Sequence, residues 1–71
     1  MPDILESYRT ADIDTASDPK YYGFLSHTGA WYILEENTAA GTFRYCKGKA
    51  LYPAAWTDRA TQSYDYYSEV F

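Results

Sequence analysis

One histidine, one cysteine and ten acidic side chains are the groups in this 71-residue chain that could serve as base, nucleophile or metal ligand. His27 sits in His27-Thr28-Gly29, a turn sequence, and a lone imidazole there reads as an exposed turn residue. Cys46 falls on a predicted strand with no histidine near it in sequence, so it reads as a small buried hydrophobe. The spacing Asp12-x-Asp14-x-x-x-Asp18 resembles the start of a calcium loop. Such a loop needs a further oxygen ligand and then a glycine, where this chain has Ala16 and Ser17. Glu35 and Glu36 are adjacent, so on a strand they point to opposite faces, which is poor geometry for paired acid–base work. A single His and a single Cys cannot build a zinc site without carboxylates or a second chain. There is no glycine-rich phosphate loop, nucleophile elbow or metal-ligand spacing. The expectation is a non-enzymatic chain with no catalytic residue, no metal and no cofactor.

Stability is the next constraint. A chain this short forms one domain and buries only roughly 60% of its unfolded surface. Domains of this size usually need a disulfide, a metal or a partner. With Cys46 alone no intrachain disulfide can form. That leaves association, or an unusually aromatic core, and the chain is 20% aromatic with nine tyrosines. The net charge is −4, which argues against nucleic-acid binding. Residues 1–18 hold Asp3, Glu6, Asp12, Asp14 and Asp18 against Arg9 alone and so account for all of it. No apolar run approaches the roughly 18 residues of a membrane span, and no basic stretch followed by an apolar run marks a signal peptide. Synthesis in a cytoplasm, with no membrane partner, is expected.

Two segments emerge from the pattern. Residues 1–19 read as an acidic N-terminal arm, thin in apolar residues and ending at the turn cluster Ser17-Asp18-Pro19. Its candidate contacts with a neighbour are Ile4, Leu5, Tyr8 and Ile13. Residues 20–71 read as an aromatic-rich β-meander plus helix domain. Strands are expected over 21–26, 30–35 and 42–46, with turns at His27-Thr28-Gly29 and Asn37–Gly41. Residues 53–70 read as a helix: Pro53 suits its first position, and Trp56, Ala60, Tyr64, Tyr67 and Phe71 form one stripe, with weaker helix formers at 61–66. The expected fold is therefore α+β, a three-stranded antiparallel meander packed against one C-terminal helix, with an extended N-terminal arm.

The register follows from the turns. A two-residue Thr28-Gly29 loop sets Leu25 opposite Tyr32 and Phe24 opposite Ile33. A loop over 37–40 sets Leu34 opposite Phe43 and Tyr32 opposite Tyr45. One face then carries Gly23, Leu25, Tyr32, Leu34, Phe43 and Tyr45 and is the expected core. The other carries Tyr22, Phe24, Trp31, Ile33, Arg44 and Cys46. One helix covers one face, so the partner-binding surface is expected at Tyr22, Phe24, Trp31, Ile33 and Arg44. A one-residue slip in either loop would change these pairings.

The stretches Tyr21-Tyr22-Gly23-Phe24-Leu25, Gly29-Ala30-Trp31-Tyr32-Ile33-Leu34-Glu35-Glu36-Asn37-Thr38 and Gly41-Thr42-Phe43-Arg44-Tyr45 resemble a group of small tailed-bacteriophage proteins of mostly unassigned function. Members of that group end in a segment similar to Ala55-Trp56-Thr57-Asp58-Arg59-Ala60, then Tyr64-Asp65-Tyr66 and Val70-Phe71. The resemblance covers residues 20–71 and is a pattern of structural residues. It implies a minor structural protein of a phage particle, located in the virion after synthesis in the host cytoplasm. Its partners would be other virion proteins, with a homo-oligomer as another arrangement. Gly29-Ala30-Trp31-Tyr32-Ile33-Leu34 is also similar to the hairpins of choline-binding cell-wall repeats, here present once. That likeness supports an alternative carbohydrate or cell-wall binding module, with Trp31 and Tyr22 as stacking platforms. A phage-encoded host-interaction factor is the third reading.

Overall fold

Strand propensity is concentrated in three aromatic runs, and each forms a strand. The computed structural model describes residues 7–16 and 18–71. β2 (Lys20–Ser26), β3 (Trp31–Asn37) and β4 (Thr42–Gly48) are joined by short turns. A fourth strand, β1 (Tyr8–Asp14), precedes them, and the sheet is antiparallel in the order β1-β2-β3-β4. The expected three-stranded meander is thus corrected to four strands, with part of the segment read as an arm lying in the sheet. β1 gave little strand signal because Arg9 through Ile13 are all exposed, so burial imposed no apolar alternation on it. A bulge between Thr10 and Asp12 adds one residue to β1.

The β2–β3 turn decides which side chains share a face. The Ser26 amide donates to the Ala30 carbonyl (2.8 Å), the Gly29 amide donates to the Ser26 carbonyl (3.1 Å), and Gly29 has φ +95°. The loop therefore holds three residues, closed by a glycine in the left-handed region, where two were expected. The added residue slips β2 by one against β3, so Leu25 pairs with Trp31 and Phe24 with Tyr32. In the β3–β4 turn Gly41 takes φ +70°, and Leu34 pairs with Tyr45 and Glu36 with Phe43. That is a two-residue shift from expectation, so the alternation of faces between β3 and β4 is preserved.

The helical region is also corrected. The single helix expected over 53–70 is three short pieces: α1 (Tyr52–Thr57), a 3-10 turn (Arg59–Thr61) and α2 (Tyr67–Val70). The molecule is mostly sheet and only partly α+β. The break falls in the weak helix formers, where Gln62 is extended at φ −72°, ψ 158°. Asp65 then exchanges two backbone hydrogen bonds with Tyr45 (2.8 and 2.9 Å), so the chain runs along the β4 edge. The aromatic stripe is divided between the two faces: Trp56 and Tyr64 pack on one, Tyr67 and Phe71 on the other.

The core lies beneath α1. Tyr21, Trp31, Ile33, Cys46, Tyr52 and Ala55 are buried, with Leu25, Trp56 and Tyr64 packed against them. Two glycines make room for the large rings. A Cβ at Gly48 would overlap the Trp31 indole, whose Nε1 donates to the Ala50 carbonyl at 2.7 Å. A Cβ at Gly23 would collide with the Tyr52 hydroxyl and come within 2.9 Å of Trp56 Cε3. Gly23→Ala is therefore expected to displace Tyr52 and lower stability by about 1–3 kcal/mol, measured by chemical denaturation.

Candidate interaction surface

The acidic residues of the N-terminal segment have structural partners. Asp12 Oδ2 accepts from the Tyr52 hydroxyl at 2.9 Å. Asp14 Oδ2 accepts from Arg59 Nη2 (2.8 Å) and Nε (3.2 Å). Arg59 also lies over the Trp56 ring, 4.6 Å from its centroid. Asp18 accepts from the amide and hydroxyl of Thr38 (2.9 and 2.7 Å) and from the Ala39 amide (3.3 Å), tying the β3–β4 turn to the start of β2. The calcium-like spacing thus sends its three carboxylates to three different places. Among the described residues no group of three or more His, Cys, Asp or Glu side chains is placed to hold a metal ion.

His27 is exposed in the β2–β3 turn. It lines a shallow cleft of about 390 Å³ with Ser7, Arg9, Thr10, Ala11, Leu25 and Ser26. Cys46 is buried, and its desolvation pushes the thiol above its ordinary range. Burial also raises the hydroxyls of Tyr52 and Tyr64, the former with help from Asp12. Tyr64 donates to the Arg59 carbonyl at 2.8 Å.

Opposite α1 the sheet presents a second layer of rings. Phe24 stacks on Tyr32, with centroids 4.5 Å apart and planes at 18°. Tyr8 meets Tyr32 edge-on at 5.0 Å. From the C-terminal piece, Phe71 meets Tyr32 at 5.4 Å and Tyr45 at 6.0 Å, and Tyr67 meets Tyr45 at 5.3 Å. The Lys47 ammonium caps Phe71 at 5.1 Å. The result is a continuous aromatic surface from β1 to α2, and α2 covers only part of it. Ile13 is 59% exposed, Phe43 52%, Tyr67 60% and Phe71 45%. Four of the six large hydrophobic side chains that are exposed among the described residues lie on this side, and exposed apolar side chains grouped in this way mark an interaction site.

The sequence-derived surface residues do not all fall here. Tyr22 and Phe24 do, half-buried, with the Tyr22 hydroxyl donating to Glu36 at 2.9 Å. Trp31 (7% exposed) and Ile33 (0%) lie in the core beneath α1. Arg44 alternates onto the side of Cys46 at the β4 edge, its guanidinium 4.1 Å from the Tyr66 ring centroid. Tyr8 and Ile13 are on the open face, whereas Ile4 and Leu5 lie outside the described residues. Conversely Tyr32, Leu34, Phe43 and Tyr45, expected in the core, belong to the open face. Tyr67 and Phe71 joined them only because the helix breaks, a signal present in the residues of 61–66. The chain matches no protein-family model, no curated protein and no solved structure.

The polar ties give a signed pH dependence. Hydrogen bonding from Arg59 and from Thr38 holds Asp14 and Asp18 below the usual carboxylate range. Their contribution is complete above the unfolded value of about 3.9 and is lost as pH falls through the lower folded values. Raised tyrosines act in the opposite sense, so their contribution declines as pH rises above about 10. Denaturation midpoints measured across pH should give a plateau with both flanks, and Asp18→Asn should flatten the acid flank.

Proposed function

We propose that the chain is a small structural docking protein of a bacteriophage particle, which binds a neighbouring virion protein through its open aromatic face. The observation that carries this reading is the exposure of Phe43, Tyr67, Phe71 and Ile13 on one side of a sheet whose other side packs its core beneath α1. Tyrosine and phenylalanine at such a density give large contact area, with hydroxyls that tolerate a wet rim. The resemblance of residues 20–71 to small tailed-phage proteins supplies the virion context. Every lone acidic side chain of β1 and its following turn is engaged in a fold contact, which supports a mechanical role over a chemical one.

The carbohydrate reading needed Trp31 and Tyr22 as stacking platforms. Trp31 lies against Gly48 beneath the covered face, so a sugar would have to stack on Tyr22 and the open-face rings instead. A host-interaction factor would use the same open surface with a different partner, and particle composition separates the two.

Mass spectrometry of purified particles should find the protein in fixed stoichiometry; its presence in infected cells but absence from particles would overturn the virion reading. Phe43→Ser removes an exposed ring that makes none of the ring contacts described above. It should leave the denaturation midpoint nearly unchanged and reduce incorporation by about tenfold or more.

A further inference from the structure

We infer that β1 is a homodimerisation edge, pairing antiparallel with β1 of a second copy to form one eight-stranded sheet. This goes beyond the docking reading, because it concerns the edge of the sheet and not its open face. Three observations carry it. First, β1 is an edge strand with no strand beyond it among the described residues, while the opposite edge, β4, is bridged by Asp65. An uncovered strand offers a row of amide and carbonyl groups to a second strand. Second, Arg9, Thr10, Ala11, Asp12 and Ile13 are all exposed.

The third observation identifies the occupant. Arg9 pairs with Leu25 and Asp12 with Gly23, so the bulge brings Arg9 and Asp12 to one face although they are three residues apart. By the same register Tyr8, opposite Ser26, and Ile13, opposite Tyr22, share the other face. An antiparallel two-fold pairing centred between Thr10 and Ala11 sets Arg9 against Asp12 of the second copy, twice. It also sets Tyr8 against Ile13, twice. Charges meet opposite charges and apolar meets apolar, which is the matching that stabilises cross-strand pairs. Charged side chains and bulges are the usual means by which an edge strand resists pairing; here the two signs complement each other across the two-fold axis, with the two bulges facing at its centre. Asp12 accepts from Tyr52 through Oδ2 alone, and Arg9 makes no ion pair among the described residues. Both are therefore placed for a partner. The two-fold axis stands perpendicular to the sheet, so both open aromatic faces point the same way and form one platform joined at Tyr8 and Ile13.

Sedimentation equilibrium over a concentration series tests this, with amide hydrogen exchange of β1 followed alongside. The expected result is a reversible species of twice the 8.2 kDa chain mass, with β1 amides slowing as the dimer fills. Arg9→Glu places like charges opposite each other at both pairs. It should lower the association constant by at least about tenfold with an unchanged circular dichroism spectrum, while Phe43→Ser leaves association intact. A monomer across the whole series would overturn the inference. So would a dimer that is unaffected by Arg9→Glu, or one whose β1 amides exchange as in the monomer. Loss of virion incorporation in Phe43→Ser with an intact dimer, or the reverse, separates this inference from the docking reading.

Discussion

The Tyr52 hydroxyl fills the space that any side chain at position 23 would need, and from there it reaches Asp12. That contact joins three elements at once: α1 through the ring, β2 through the bare backbone of Gly23, and β1 through a carboxylate. β1 offers the core no large apolar side chain on the covered side, only Arg9, Asp12 and Asp14. Its place in the sheet rests on the backbone ladder, on polar ties reaching across from Tyr52 and Arg59, and on the Tyr8 ring against Tyr32 on the open side. A hydrophobic layer with this few members depends on close approach, because large rings bury enough area only if something small lies beneath them. Gly23 and Gly48 are the two places where that approach is made.

Local sequence was most informative where alternation and turn residues act within a few positions. β2, β3 and β4 stand close to where their aromatic runs placed them, and both glycines expected to close turns do so with positive φ. What local pattern could not resolve was a count of one. Thr28-Gly29 reads equally well as a two-residue loop or as the end of a three-residue loop. The choice exchanges Tyr32 and Trp31 between core and solvent. Both candidate faces are aromatic, so hydrophobicity could not arbitrate between them. β1 was hidden for a different reason: its partners, Tyr52 and Arg59, lie 40 and 45 residues away, and nothing in Tyr8–Asp14 announces them. The helix stripe over 56–71 was real in spacing, yet the Asp65 bridge to β4 divides it between two faces.

Tyrosine explains how one sheet can be aromatic on both sides. On the covered side the hydroxyls of Tyr21, Tyr52 and Tyr64 each find an acceptor at the margin of the core. On the open side the Tyr22 hydroxyl does so with Glu36, while Tyr67 meets Tyr45 edge to face and Tyr45 lies tilted against Tyr32. The same residue type therefore closes one layer and furnishes the other, which is why composition alone did not separate core from surface.

The two tryptophans stand in unlike settings on the same side of the sheet. Trp31 is sealed against Gly48 with its indole nitrogen on the Ala50 carbonyl, whereas Trp56 is half-buried beneath the Arg59 guanidinium that also holds Asp14. Their light emission is accordingly sensitive to different events. Trp31 registers water entering the layer beneath α1, and Trp56 registers release of the tie that fastens the first strand. One indole thus stands at the seal of the covered layer and the other at the fastening of β1, so replacing either one isolates the signal of the other.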